Sequence, residues 1–202
     1  MQRCRDFEKT FPLVPNTWHR CHQYAISDKL MPTIKTVWSF GISKECKMEQ
    51  WIRKHNRNTK IYTWDPTPIS QDTINKANSM NANITHTNKA YDPENESLTF
   101  YTTDPTKRCY SLENFDPDNL VHSYSVDCVS IKNITEQLGT DVDLIKFDIE
   151  GRWFEICNEI LDLDLKVRQV VGEFEMYMGE QDNEFKKLDS IIEKFKSKGY
   201  QI

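Results

Sequence analysis

Apolar residues in this chain form short continuous runs that alternate with stretches of helical spacing. Residues 34–40 are a run of branched and aromatic residues ending at Gly41, which reads as a buried strand and a tight turn. Between residues 46 and 56, Met48, Trp51, Ile52 and His55 recur on one helix face. Residues 60–64 give a second strand that Asp65-Pro66 stops. A helix follows around residues 70–80, and residues 83–86 give a short third strand. Residues 129–138 predict a helix ending at Gly139, and residues 143–148 a fourth strand, apolar between its two terminal aspartates except at Lys146. Gly151 then leads into a helix through Phe154, Ile156 and Ile160. A fifth strand covers residues 168–174. Residues 183–198 predict an amphipathic helix with Phe185, Leu188, Ile191, Ile192 and Phe195 on one face and Gly199 as its stop. Residues 200–202 read as the start of a sixth strand.

Strands alternating with helices imply an α/β fold, a parallel sheet with helices on both faces and right-handed crossovers. A ligand then belongs beyond the carboxyl ends of the strands. Two stretches fall outside the pattern. Residues 1–33, with prolines at 12, 15 and 32, read as an irregular arm preceding a domain over residues 34–202. Residues 91–122 carry Asp-Pro pairs at 92, 104 and 116 and read as a long loop of the kind that forms lids and binding loops.

Composition narrows the class. With 202 residues, 38% hydrophobic and 28% charged, the chain fits one globular domain. A net charge of −5 offers no general attraction to nucleic acid. No apolar run approaches the ~20 residues of a membrane span, and the charged first ten residues lack the apolar core of a signal peptide, so a soluble chain is expected. Among six cysteines, Cys128 and Cys157 lie in apolar segments and read as buried thiols. His19, Cys21 and His22 lack the second ligand pair that structural zinc requires, so no metal is expected. Three Asn-X-Ser/Thr triplets, at Asn83, Asn95 and Asn133, carry little weight in so Asn-rich a chain.

Polar residues at the strand ends carry the chemistry. The first strand ends in Ser39-Phe40-Gly41, the second in Asp65, the fourth in Asp148-Ile149-Glu150, and the fifth brings Glu173 and Glu175. An acid at the second strand's end can accept both hydroxyls of a ribose, as nicotinamide cofactors and S-adenosylmethionine present them; Asp65 reads equally as a strand-ending Asp-Pro turn. A pyrophosphate needs several glycines for close backbone approach, whereas the turn here holds only Gly41. That favours a cofactor without phosphate. Asp148 and Glu150, two apart on a strand, share a face. They could hold a cofactor's amino group, bind a metal or take a proton from a substrate hydroxyl, or could simply be acids favoured before a helix.

The blocks Val37-Trp38-Ser39-Phe40-Gly41-Ile42, Met48-Glu49 and Trp64-Asp65-Pro66-Thr67-Pro68 resemble a known pattern. So do Asp143 through Gly151 (DLIKFDIEG) and Gln169 through Phe174. Together they are similar to FkbM-type methyltransferases, and especially to the methyltransferase-like domains common in animals. The resemblance implies a Rossmann-like class I methyltransferase sheet of strand order 3-2-1-4-5-7-6 with S-adenosylmethionine at the tips of strands one, two and four. It implies that Ser39 and Gly41 line the methionine end and Asp65 holds the ribose. Lys89, within Asn88-Lys89-Ala90, would lie near the adenine, and Asp148 and Glu150 would face the methyl group and acceptor. The chain departs from the pattern at Ser43, a glycine in the family, at Trp153, a glutamate, and at Glu175, a histidine. It also ends at Ile202, before the last two strands of the family sheet, which reads as a C-terminal truncation.

The leading expectation is an S-adenosylmethionine-dependent transfer of methyl to an oxygen of a small molecule or sugar. Asp148 serves as base, with Glu150 or Glu173 second. The alternative is a catalytically inactive binding module that keeps the fold. A nicotinamide oxidoreductase is a weaker third, disfavoured by the glycine-poor turn.

Overall fold

The computed structural model describes residues 18–21, 24–102, 122–149, 151–163, 165–174 and 181–201. Five parallel strands make the central sheet: β3 (Thr36–Phe40), β4 (Lys60–Trp64), β5 (Ile84–Thr87), β9 (Leu144–Phe147) and β10 (Gln169–Gly172), in the order β10-β9-β3-β4-β5. This is the Rossmann-like α/β arrangement, and it places the first three strands and the next two as the strand order 3-2-1-4-5 requires. Among the described residues β10 is the edge of the sheet.

The helices are α1 (Lys47–His55), α2 (Pro68–Ser79), α3 (Ile131–Leu138), α4 (Trp153–Asp162) and α5 (Gln181–Ser197). None among the described residues is long and apolar enough to cross a membrane. Parallel strands covered on both faces read as unbroken apolar runs, and β9 is buried at all four positions. One face packs Trp38, Phe40, Ile145 and Phe147 against Ile134, Trp153, Ile156 and Ile191. The other packs Val37, Ile61, Ile84 and Leu144 against Ile52, Ile74 and Ile26. Trp153, where the family pattern has a glutamate, fills the first of these cores at 1% exposure. Gly172 makes room for it all: a Cβ there would lie 2.1 Å from the Phe147 ring, which packs edge-on to Phe174.

Helix α3 starts after Ser130, two residues later than the apolar pattern alone suggests, because Ser130 and Asn133 form a capping box. Glu159 of α4 also accepts the amides of Ile131 and Lys132, both at 3.0 Å. The missed signal was the cap residue.

Both stretches set aside as irregular contain strands. In the N-terminal arm, β1 (Trp18–Cys21) and β2 (Tyr24–Ser27) form an antiparallel hairpin. The Gln169 side chain clasps it, donating to the Ala25 carbonyl at 2.8 Å and accepting from the Ser27 amide at 3.0 Å. Within residues 91–122, β7 (Ser97–Thr102) pairs antiparallel with β8 (His122–Val129), and β6 (Ala90–Tyr91) adds on β8's other side. Phe100, Val126 and Cys128 alternate inward as period two demands; residues 103–121 lie outside the described residues. Residues 200 and 201 follow α5 as irregular chain, and Ile202 is outside the described residues.

Candidate active site

The turn after β3 shapes the site. Gly41 has φ +78°, and a Cβ there would lie 1.7 Å from the Asp148 carbonyl oxygen, so only glycine lets the turn lie against the tip of β9. Ser43 follows at φ +48°. These two left-handed residues aim the amides of Ile42 and Ser43 at one point, the nest arrangement that binds anions. The anion is the chain's own. Asp65 Oδ2 accepts from Ile42 N and Ser43 N, each at 2.6 Å, and Oδ1 accepts from the Thr67 amide at 2.7 Å and the Thr67 hydroxyl at 2.5 Å. Asp65 is 3% exposed.

Asp148, at the tip of β9, has a half-buried side chain. Its Oδ2 accepts from the Tyr24 hydroxyl at 3.0 Å and lies 3.8 Å from Lys146 Nζ. Lys146 is a buried cation satisfied by backbone. Its Nζ donates to the carbonyls of Phe40, at 3.2 Å, and Gly41, and sits 5.4 Å from the centre of the Tyr24 ring. Such burial is tolerable because the charge is hydrogen-bonded and paired.

Two cavities flank the turn over residues 41–43. One, of about 120 Å³, has an aromatic wall of Trp64, Tyr91 and Phe100 with Leu98 and Ile149, and Asp65 and Arg152 at its margin. The other, of about 160 Å³, is ringed by the charged side chains of Lys44, Lys47, Glu49 and Lys146, with Tyr24 and Met48. Among the described residues, Asp148 is the one ionisable residue on both walls. Each cavity is smaller than the ~300 Å³ at which small-molecule sites begin. A larger hollow of about 840 Å³ runs along β10 between α4 and α5, from Val167 to Phe174, and does not touch Gly41, Asp65 or Asp148.

Residues 40–202 match the family described as the Methyltransferase FkbM domain. The chain belongs to the FkbM methyltransferase family. No curated protein and no solved structure matches it.

The FkbM domain brings Gly41, Asp65 and Asp148 together around one turn, on the wall of the aromatic cavity. Ser39 is turned away from it: fully buried, its hydroxyl donates to Glu49 Oε1 at 2.5 Å behind the sheet. Lys89 is half-buried and borders neither cavity, while the next residues, Ala90 and Tyr91, do line the aromatic one. Glu173 is exposed beside the tip of β10, and its carboxyl is pushed above the usual range, first by desolvation, then by the charge of Asp148, with Lys146 pulling the other way. Glu150 and Glu175 lie outside the described residues.

Three features of the FkbM domain's site escaped the sequence. Tyr24 reaches Asp148 across 124 positions, a partnership no local pattern records. Arg152 pairs at 2.9 Å with Asp92, whose side chain is 1% exposed, under the aromatic cavity. Tyr91 closes that cavity and donates to Glu159 at 2.9 Å; burial and the surrounding carboxylates push its phenol far up, so it stays a donor. The only sequence hint was an ionisable Lys146 inside an apolar strand.

Proposed function

We propose that the chain is an S-adenosylmethionine-dependent methyltransferase that methylates an oxygen of a small molecule or sugar, with Asp148 as its general base. One observation carries this reading: among the described residues, the partly exposed Asp148 is the carboxylate that borders both the aromatic cavity and the cavity ringed by lysines at the strand tips. The residues fit the cofactor. Tyr91, Phe100 and Leu98 suit an adenine, and Asp148 suits the neighbourhood of a sulfonium. The two amides that could take a phosphate are already bonded to Asp65, which favours a phosphate-free cofactor over a dinucleotide.

Bound S-adenosylmethionine supplies an electrophilic methyl group. The protein's share is alignment and proton removal. Asp148 would accept the acceptor's hydroxyl proton as the methyl group passes from sulfur to that oxygen, the S–C bond breaking as the C–O bond forms, while the Tyr24 hydroxyl and Lys146 hold its carboxylate in place. Alignment supplies much of such a rate, and a positioned base adds about 10²–10⁴-fold. Glu173, its carboxyl pushed above the usual range by desolvation and by the charge of Asp148, is the second acid at the tip.

Calorimetric titration with S-adenosylmethionine and S-adenosylhomocysteine tests the reading. Saturable binding of both, followed by methyl transfer to a hydroxyl compound from a screened set, is the expected result. A folded chain that binds neither is a non-catalytic module.

A further inference from the structure

We propose that Asp65 serves the cofactor through the turn it staples, not through a ribose contact. A carboxylate offers about four acceptor positions. In Asp65 all four are filled from within the chain: Ile42 N, Ser43 N, Thr67 N and the Thr67 hydroxyl, at 2.5 to 2.7 Å. These are short, charge-assisted bonds, and the residue is 3% exposed. A ribose diol would have to displace two of these donors, leaving buried amides unpaired.

The staple has a mechanical purpose. Gly41 at φ +78° and Ser43 at φ +48° are backbone conformations that an isolated chain leaves easily. The carboxylate makes this conformation the stable one by meeting both amides it exposes. The turn so fixed is the partition between the two cavities, sharing Ile42, Ser43 and Asp148 with each. It also carries the Gly41 carbonyl that receives Lys146. Asp65 is therefore a positioning residue: it preforms the wall on which a ligand lies and holds the carbonyl that anchors the cation beside Asp148. The same bonding leaves the nest with no vacancy for a phosphate, so selection against phosphorylated cofactors is built into the fold.

The proposal rests on the methyltransferase reading only for the ligand used, and two arms separate them. The first is amide hydrogen exchange by NMR on the ligand-free wild type and on Asp65→Asn. Ile42 and Ser43 are expected to be protected in the wild type and to exchange roughly tenfold faster or more in the variant, the scale of one lost charge-assisted hydrogen bond. Wild-type amides exchanging at free-loop rates overturn the staple, whatever the variant does, and this holds even if Asp65→Asn does not fold. The second arm is calorimetry with S-adenosylhomocysteine and its 2′,3′-dideoxy analogue. The staple predicts that Asp65→Asn weakens both ligands by the same factor. A ribose contact predicts that the penalty for losing the hydroxyls disappears in the variant, and that outcome sinks the proposal. Failure of a folded wild type to bind either ligand removes the methyltransferase reading, and the exchange arm still decides the staple.

Discussion

Asp65 and Asp148 stand at the tips of β4 and β9, the two strands that flank β3, yet they do opposite work. Asp65 is buried and its oxygens are consumed by four donors from the chain. Asp148 keeps 31% of its side chain open, and its carboxylate accepts from the Tyr24 hydroxyl. Equivalent places on a parallel sheet therefore do not imply equivalent roles. The carboxylate saturated by its own fold is tied to the turn, and the carboxylate left partly open keeps a face toward both cavities.

Substitution separates the two roles most sharply at Asp148. Asp148→Asn is expected to lower the initial rate of methyl transfer about 10²–10⁴-fold, while the midpoint of thermal unfolding stays within a few degrees. A collapse of the fold instead would make Asp148 a second structural acid and erase the contrast. Next comes the turn between them. Gly41→Ala puts a Cβ 1.7 Å from a backbone oxygen and should cost about 3 kcal/mol or more in urea unfolding. Gly139→Ala, at φ +81° with nothing within 4 Å, isolates the conformational part and should cost only about 1–2 kcal/mol. Equal losses would mean that contact with Asp148 adds nothing.

The smallest expected effect is on the Asp65 side. His86 hydrogen-bonds the hydroxyls of Thr63 at 2.8 Å and Ser70 at 3.1 Å. Burial lowers its pKa below the ordinary histidine value, and the negative charge of Asp65 offsets part of that. The unfolded chain thus takes up this proton first as pH falls, so the stability due to neutral His86 is present above about pH 6.5 and declines below it. Stability curves of His86→Gln should be flatter than wild type across that acid window. An unchanged slope would show that His86 titrates alike in both states.

The middle of the sheet was legible because β3 and β9 are buried on both faces, and such strands announce themselves as apolar runs. Strands β7 and β8 were hidden for the opposite reason. With one face exposed they alternate, as in Ser97-Leu98-Thr99-Phe100, and neighbouring Asp-Pro pairs made that alternation read as loop. The acids of the site were legible by position, since topology puts strand tips at a shared edge. Their division of labour was not. Asp65 finds its amides 22 and 23 residues back, and Asp148 finds its hydroxyl 124 residues back. Ser39 shows the limit from the other side: it stands in the right motif, but strand alternation turns its hydroxyl to Glu49.

The Gln169 clasp carries the site beyond the residues that match the family. Similarity to the family starts at residue 40, whereas the hairpin held by Gln169 carries Tyr24 into the cleft. Trimming the chain to its shared portion would discard four of the five residues of the sheet's middle strand together with the phenol that steadies Asp148. The match stops short of a piece of polypeptide that reaches the cleft.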